Sequence, residues 1–499
     1  MGLITPQQYL ESLRDGRVVY IYGERVEDVT KHPILRITAN RCALTYSLAL
    51  NPRYHDLMTT TNEEGELVNR AFVAAKNAQD LLKRREMIQL GCRIGPGKTL
   101  PAQFTGIDGL NAITVVCRRM DNELGTNYSE RVESYRKYSQ KEDCAVALAM
   151  TDVKGDRSLR PSQQKAHKDY YLRIVGERSD GIIVRGAKAH ISTGPVVNEI
   201  IVLPCRRHRE EDKDYVVAFA TPPNAKGITF ISSEPETNEP DNLFDHPISA
   251  TTYLNDALVI FDDVFVPNER IFMKREWPFS GDMAYMFANF HRLSSDANKA
   301  METAVLAGAA ALMAEYNGIE RSSRIQDYLA WFAMYAEGAE ILGRAACENC
   351  VTEPDSDLVY PNPMYSNIAK LWCADNFHQA IKYLQDIAGG ILATAPSSKD
   401  FFNPETRPMI EKYLGAKDGI PTEHRLRLLK LIKDFTSTYE DVLTIHAEGS
   451  LAMQRLSIYA LADFERYKAA AKRAAKISDG TEHPLFTQLP DWPPVFSDI

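Results

Sequence analysis

A chain of 499 residues, 44% hydrophobic and 25% charged, buries a large core and is expected to divide into two or three domains. Its net charge of -9 provides no basic field for nucleic acid or an anionic membrane, and neither partner is expected. Eight cysteines at positions 42, 92, 117, 144, 205, 347, 350 and 373 lack the spacing of a disulfide framework or of paired metal knuckles, so a reducing cytoplasm and no metal are expected.

The start, MGLITPQQYLESLRDG, has no basic stretch followed by an apolar run, and no apolar run in the chain reaches membrane-spanning length. From Thr5 the segment TPQQYLESLRDG reads as a short capped helix, and VVYIYGERV as a hairpin-like strand segment. Apolar residues at helical spacing predict helices from Ile37 to Leu50, Leu67 to Gln89 and Arg131 to Lys141, making residues 1–143 a mostly helical domain.

After Asp143 the periodicity changes. CAVALAM, YYLRIVGER, GIIVRGAKAHIS, EIIVLP, YVVAFATP, GITFISS and ALVIFDDVFVP are short β-branched and aromatic runs bounded by Gly, Pro, Asn or Asp. They predict a small β-barrel or sandwich over residues 144–275. Within it, Asp180 to Gly194 reads as a hairpin, with Gly186-Ala187-Lys188 as the turn and Ala189 to Thr193 as its second strand. Beyond Pro267 the helical period returns, from Ser295 to Tyr316, Ile325 to Val351, Met364 to Ile387, and Thr422 to about Ala475 with a break expected near Gly449. Four long helices suggest a bundle over residues 276–475, followed by a Pro-rich tail, 476–499, that either wraps a neighbour or is partly disordered.

Three stretches carry chemistry. Ser192 and Thr193, beside Gly194 and Pro195, let hydroxyl and backbone donors approach a flat heterocycle. In AMTDVKGDR, Met150 and Thr151 lead into Asp152, Gly155 and Arg157, a loop able to hold a heterocycle edge or a phosphate. In Gln385-Asp386-Ile387-Ala388-Gly389-Gly390 a long helix ends in two glycines whose backbone amides could meet a pyrophosphate. Taken singly, these equally describe a plain hairpin, a plain turn and a helix stop. Cys347 and Cys350 form a lone CxxC, read as a structural pair.

Together, in the order helical domain, β-domain, helical bundle, the stretches resemble the acyl-CoA dehydrogenase-like flavoprotein superfamily. Gly186, Lys188, Ile191 and Ser192 match its GxKxxIT flavin-lining hairpin with Ser for Thr, and QDIAGG matches its Gln-x-x-Gly-Gly segment. LVIFDDVFVPNERIF narrows the likeness to the branch of 4-hydroxyphenylacetate 3-monooxygenase and 4-hydroxybutyryl-CoA dehydratase. The resemblance implies an α+β fold, FAD and a homotetramer. It places Met150, Thr151, Arg157, Ser192, Thr193 and Lys299 at the flavin, with Gln385, Ile387, Gly389 and Gly390 reaching it from a neighbouring subunit.

Departures from the family pattern bear on reaction type. The dehydratase holds an iron-sulfur cluster with three cysteines and a histidine; His291 keeps the histidine place, but the cysteine places fall on Leu100, Phe104 and Asn298, which cannot ligate iron. The family's catalytic tyrosine and glutamate fall on Ser295 and Leu443. In the phenol hydroxylases an Arg, a Tyr and a His hold the ring; those places are Thr105, Gly109 and Leu148 here, implying a pocket with room for something larger. His291, Arg292 and Ser295 are the catalytic candidates, with His190, His446 and Glu448 behind them. The expectation is a two-component monooxygenase that uses FADH2 and oxygen to hydroxylate a phenol-like substrate. A separate NAD(P)H-dependent reductase is expected because no strand is followed by GxGxxG. The alternatives are an FAD-dependent acyl-CoA isomerase or dehydratase-like lyase without the cluster, and a non-catalytic flavin-binding homologue.

Overall fold

The computed structural model describes residues 2–95, 102–234, 237, 239–354, 356–438, 444–477 and 483–485. The N-terminal segment begins with α1 (Pro6–Ser12), where the Thr5 hydroxyl accepts from the Gln8 amide and the Gln8 side chain accepts from the Thr5 amide. Strands β1 (Val19–Ile21) and β2 (Glu24–Val26) then pair through a turn whose central residues, Tyr22 and Gly23, both have positive φ. Helices α2 (Leu35–Leu50) and α3 (His55–Met58) precede the short ribbon β3 (Thr59–Thr61) and β4 (Leu67–Asn69).

The helix predicted from Leu67 starts only at α4 (Ala78–Ile94). Leu67 lies in β4, the Asn69 side chain turns the chain by accepting from Ala71, and Asn77 caps α4 by accepting from Asp80. Helix α5 (Phe104–Leu124) was not anticipated, because Gly106 and Gly109 interrupt its apolar pattern. Gly125, in the left-handed region, ends it, and α6 (Tyr128–Glu142) follows, wider than its predicted span.

Two open sheets replace the barrel alternative. One has the order β2-β1-β10-β11-β7-β6 and the other β12-β9-β8-β5, with β5 (Val146–Ala149), β6 (Arg173–Arg178), β7 (Gly181–Ser192), β8 (Glu199–Val202), β9 (Val217–Thr221), β10 (Ile228–Ser232), β11 (Asp256–Pro267) and β12 (Ile271–Lys274). No ladder closes either sheet among the described residues. They face each other across a shared core in which Phe219 of β9 meets Phe261 of β11 edge-on at 6.1 Å. β1 pairs parallel with β10, Val19 opposite Phe230, so the first sheet draws strands from both the N-terminal and the β segments.

The hairpin expected within Asp180 to Gly194 is a correction. Gly181 to Ser192 is one continuous strand, paired with β11 from Gly181 opposite Pro267 to Ser192 opposite Asp256. Gly186 does not turn the chain. Its φ of +140° lets the backbone pass so close to Leu172 that a Cβ there would lie 2.5 Å from the Leu172 Cα. The real hairpin is one turn earlier, where β6 meets β7 through Ser179-Asp180.

After the short helix α7 (Ser249–Thr252), α8 runs from Ser280 to Tyr316, 37 residues and about 55 Å long. It begins well before the predicted Ser295, so His291 and Arg292 lie inside a helix rather than ahead of one. It packs against α4, α5, α9 (Ser323–Glu348), α10 (Pro363–Ala388) and α14 (Thr422–Thr436). Three short helices, α11 (Ile391–Thr394), α12 (Ser398–Phe402) and α13 (Arg407–Tyr413), separate α10 from α14. The fourth long helix is not continuous: after α14, Glu448 and Gly449 have positive φ, and Leu451–Leu461 and Phe464–Ala474 form separate helices. Most of the Pro-rich tail lies outside the described residues. Among those residues no helix is long and apolar enough to cross a membrane.

Candidate functional site

Helical spacing places His291, Ser295, Lys299 and Glu302 along one side of α8, at steps of three or four residues, with Asn298 beside Lys299. His291 belongs to a closed polar set. Its Nδ1 is 3.0 Å from Asp108 Oδ2 on α5, and the same oxygen accepts from Ser294 Oγ at 2.9 Å. Asp108 Oδ1 accepts from Arg84 on α4 at 3.2 Å, and both members of that ion pair are sealed from solvent. Burial pulls the Arg84 guanidinium below its ordinary range, and the neighbouring Asp108 carboxylate opposes that pull. Phe287 stacks on the imidazole at 5.0 Å. An imidazole donating from Nδ1 to a fixed carboxylate presents Nε2 as its acceptor.

One turn along α8, Ser295 Oγ donates to Glu448 Oε2 at 3.2 Å. Lys299 and Lys370 each place Nζ 4.0 Å from that oxygen, and both donate to the Thr444 carbonyl. Arg292 points the other way and donates to Asn367 on α10. Burial lowers its guanidinium, and burial pushes the Asp296 carboxyl well above the usual range. Asp296 is enclosed by Arg292, Arg85, Lys370 and Glu448.

The cysteine places do different work here. Phe104 lies under the Arg84 guanidinium at 4.8 Å, and Asn298 Oδ1 accepts from Cys92 Sγ at 3.1 Å. Leu100 and Leu443 fall outside the described residues. Among the described residues no group of three or more His, Cys, Asp or Glu is arranged to hold a metal ion. The room anticipated beside Gly109 is filled: a Cβ there would meet Leu148 Cδ1 at 2.3 Å, so the glycine lets α5 lie against β5. Thr105, its neighbour on α5, is half-buried.

A second group lines the edge of β7. Lys188, fully buried, pairs with Asp152 at 2.9 Å and donates to the Met150 and Leu203 carbonyls. The Ala189 amide donates to the Thr151 carbonyl at 2.8 Å. These bonds hold Met150 and Thr151 alongside the strand that leads to Ser192 and Thr193, and all four remain partly accessible. Neither the Thr151 nor the Ser192 hydroxyl spends a hydrogen bond within the described chain, while Thr193 is held at φ +60° by its amide bond to Asn255. Arg157 is exposed.

Gln385, Ile387, Gly389 and Gly390 stand apart at the end of α10. Ile387 is buried, with its carbonyl bonded to Asn317, whereas Gln385 and both glycines are exposed. No hydrogen bond or ion pair among the described residues joins them to the β7 edge. His190 and His446 are exposed, and burial pushes the Cys347 thiol up to about 12.

Sequence reading missed Asp108, Arg84 and Lys370. The available signals were an acid between two glycines in an apolar run, FTGIDGL, and a lysine inside the apolar stretch IAKLWC.

Family models for the N-terminal and C-terminal parts of 4-hydroxyphenylacetate 3-hydroxylase match residues 5–273 and 280–476. The chain is 36% identical over 499 residues to 4-hydroxybutyryl-CoA dehydratase/vinylacetyl-CoA-Δ-isomerase of Clostridium aminobutyricum, covering 95% of this chain and 100% of that one. An oxygen-tolerant archaeal 4-hydroxybutyryl-CoA dehydratase from N. maritimus has the same fold, with a TM-score of 0.89, 32% identity and 97% of each chain covered. The oxygenase component of 4-hydroxyphenylacetate 3-monooxygenase complexed with FAD superposes with a TM-score of 0.84 at 27% identity, covering 95% of this chain and 98% of that one. The two models span nearly the whole chain, and it belongs to the 4-hydroxyphenylacetate 3-hydroxylase family.

Proposed function

We propose that this chain is the oxygenase component of a two-component flavin system, taking reduced FAD from a separate NAD(P)H-dependent reductase and hydroxylating a phenol-like substrate with oxygen. The observation that carries the reading is the His291–Asp108 pair set into the α5–α8 interface. Beside it, two places where the dehydratase cluster takes cysteine hold Phe104 and Asn298, both engaged in packing and hydrogen bonding.

The β7 edge fits a flavin by its donor set: Thr151 and Ser192 offer unspent hydroxyls, and Lys188 fixes the Met150 carbonyl beside them. Reduced flavin bound there supplies the activation of oxygen. The chain's own residues supply the rest. His291 accepts the proton of a substrate hydroxyl at Nε2, and Asp108 stabilises the resulting imidazolium through Nδ1. Arg84 and Ser294 keep that carboxylate in place. Gly389 and Gly390, exposed at the end of α10, would serve the flavin of a neighbouring copy in a homotetramer.

The similarity to the dehydratase, 36% identity over 499 residues, favours a second reading, a flavin-dependent acyl-CoA isomerase without a cluster. The test offers the FAD-loaded, reduced protein labelled oxygen with a panel of phenols, and in parallel offers vinylacetyl-CoA without oxygen. Label in a catechol product supports the hydroxylase. Thioester isomerisation with no label in any phenol sinks it.

A further inference from the structure

Glu448 faces a pair of buried lysines. Its backbone has φ +56°, a left-handed conformation unfavourable for a non-glycine residue, and Gly449 follows at φ +99°. The strained pair directs the carboxylate back at α8, where Oε2 accepts from Ser295 Oγ at 3.2 Å. Lys299 and Lys370 approach the same oxygen at 4.0 Å each. Both lysines are sealed, at 2% and 0% side-chain exposure, and are tethered to the Thr444 carbonyl, whereas Glu448 keeps 16%. Of the three, the carboxylate is the one that a ligand or solvent can reach.

Fixed charges surround it. From α8, Lys299 and Arg292 contribute positive charge; from α10, Lys370 does the same. Asp296, also on α8, has its carboxyl pushed well above the usual range by burial, and Glu302 accepts from the Thr444 hydroxyl beside the lysines. Two fixed ammonium groups at this range favour the ionised carboxylate, and Ser295 supplies a hydroxyl through which a proton can pass to it.

We propose that Glu448, through Ser295, is a second proton acceptor of this site, one helical turn from His291, and that it takes a proton from carbon. The proposal rests on the hydroxylase reading only in placing the substrate against this side of α8. Aromatic hydroxylation must return the C–H electron pair to the ring after oxygen is added. In that step the ring C–H bond breaks, its proton passes to Ser295 Oγ as the Ser295 proton moves to Glu448 Oε2, and the ring oxygen recovers a proton from His291. A butenoyl thioester losing a C2 proton would make the same demand, so the acceptor serves either substrate class.

The test compares the FAD-loaded wild type with E448Q and E448D. An infrared difference spectrum of wild type against E448Q at neutral pH reads the carboxyl directly: an ionised band supports the proposal, and a protonated carboxyl overturns it whatever the substrate. With ring-deuterated phenol, E448Q is expected to lose about 100-fold or more in turnover and to acquire a primary deuterium isotope effect, with part of the rate restored in E448D. With vinylacetyl-CoA in deuterated water, loss of C2 exchange in E448Q is the equivalent result. Turnover or exchange in E448Q at the wild-type rate overturns the proposal. A wild type inert to both substrates overturns the proposed function instead, and the infrared result still decides the state of Glu448.

Discussion

Replacing Asp108 with alanine removes the acceptor shared by three groups on two other helices: Arg84 at 3.2 Å, His291 at 3.0 Å and Ser294 at 2.9 Å. Arg84 has 4% of its side chain exposed and Asp108 3%, so the pair is buried and solvent cannot replace the missing carboxylate. Arg84 keeps its bond to the Ala71 carbonyl but loses its ion-pair partner. Breaking a buried pair from one side costs about 3–5 kcal/mol, because the cation left behind is uncompensated. Asp108→Asn keeps the volume and one acceptor oxygen, and should cost about half as much. Removing both charges in R84M/D108A should recover part of the loss. Urea unfolding followed by fluorescence and circular dichroism measures all three variants. If D108A loses less than about 1 kcal/mol and R84M/D108A is no more stable than D108A, the buried pair does not hold α4, α5 and α8 together as argued.

Other expectations follow from single contacts. Gly106→Ala should lower the melting temperature sharply, since the added Cβ would lie 2.2 Å from Val146 Cγ1 and 2.6 Å from the Val146 carbonyl, and relief requires moving α5 off β5 at about 1–3 kcal/mol or more. Burial pushes the Asp143 carboxyl up to about 7, so the fold favours its protonated form. That contribution is complete below the ordinary carboxylate range, about 4, and is lost as pH rises through about 7. Asp143→Asn, which tolerates the residue's φ of +46°, should therefore flatten the fall in stability over this window, and equal slopes for the two proteins would contradict the assignment. Lys188→Met strands the buried Asp152 carboxylate and frees the Met150 carbonyl, so FAD retention measured by equilibrium dialysis should fall together with stability; unchanged retention would detach this lysine from the flavin edge.

The strand runs after Asp143 were legible because alternation of apolar residues is a local property: β5 to β10 fall within the runs read from it, and β11 begins one residue before its run. Glycines were the main source of error. Gly186 looked like a turn, yet it allows β7 to pass under Leu172; Gly109 looked like room for a larger substrate, yet it lets α5 sit on β5. A glycine signals that something approaches the backbone closely, but its neighbours in sequence do not reveal what approaches.

Local chemistry in the sequence determined the Thr5 cap, the strand runs and the long C-terminal helices, but not that His291 shares α8 with Ser295 and Lys299. Only the tertiary structure decided what those positions face. Asp108 lies 183 residues from His291, and Glu448 lies 153 residues from Ser295, so neither pairing leaves a trace in any local window. The same holds for Arg84 beneath Asp108 and for Lys370 beside Glu448, since charges become partners only when packing excludes water from between their helices.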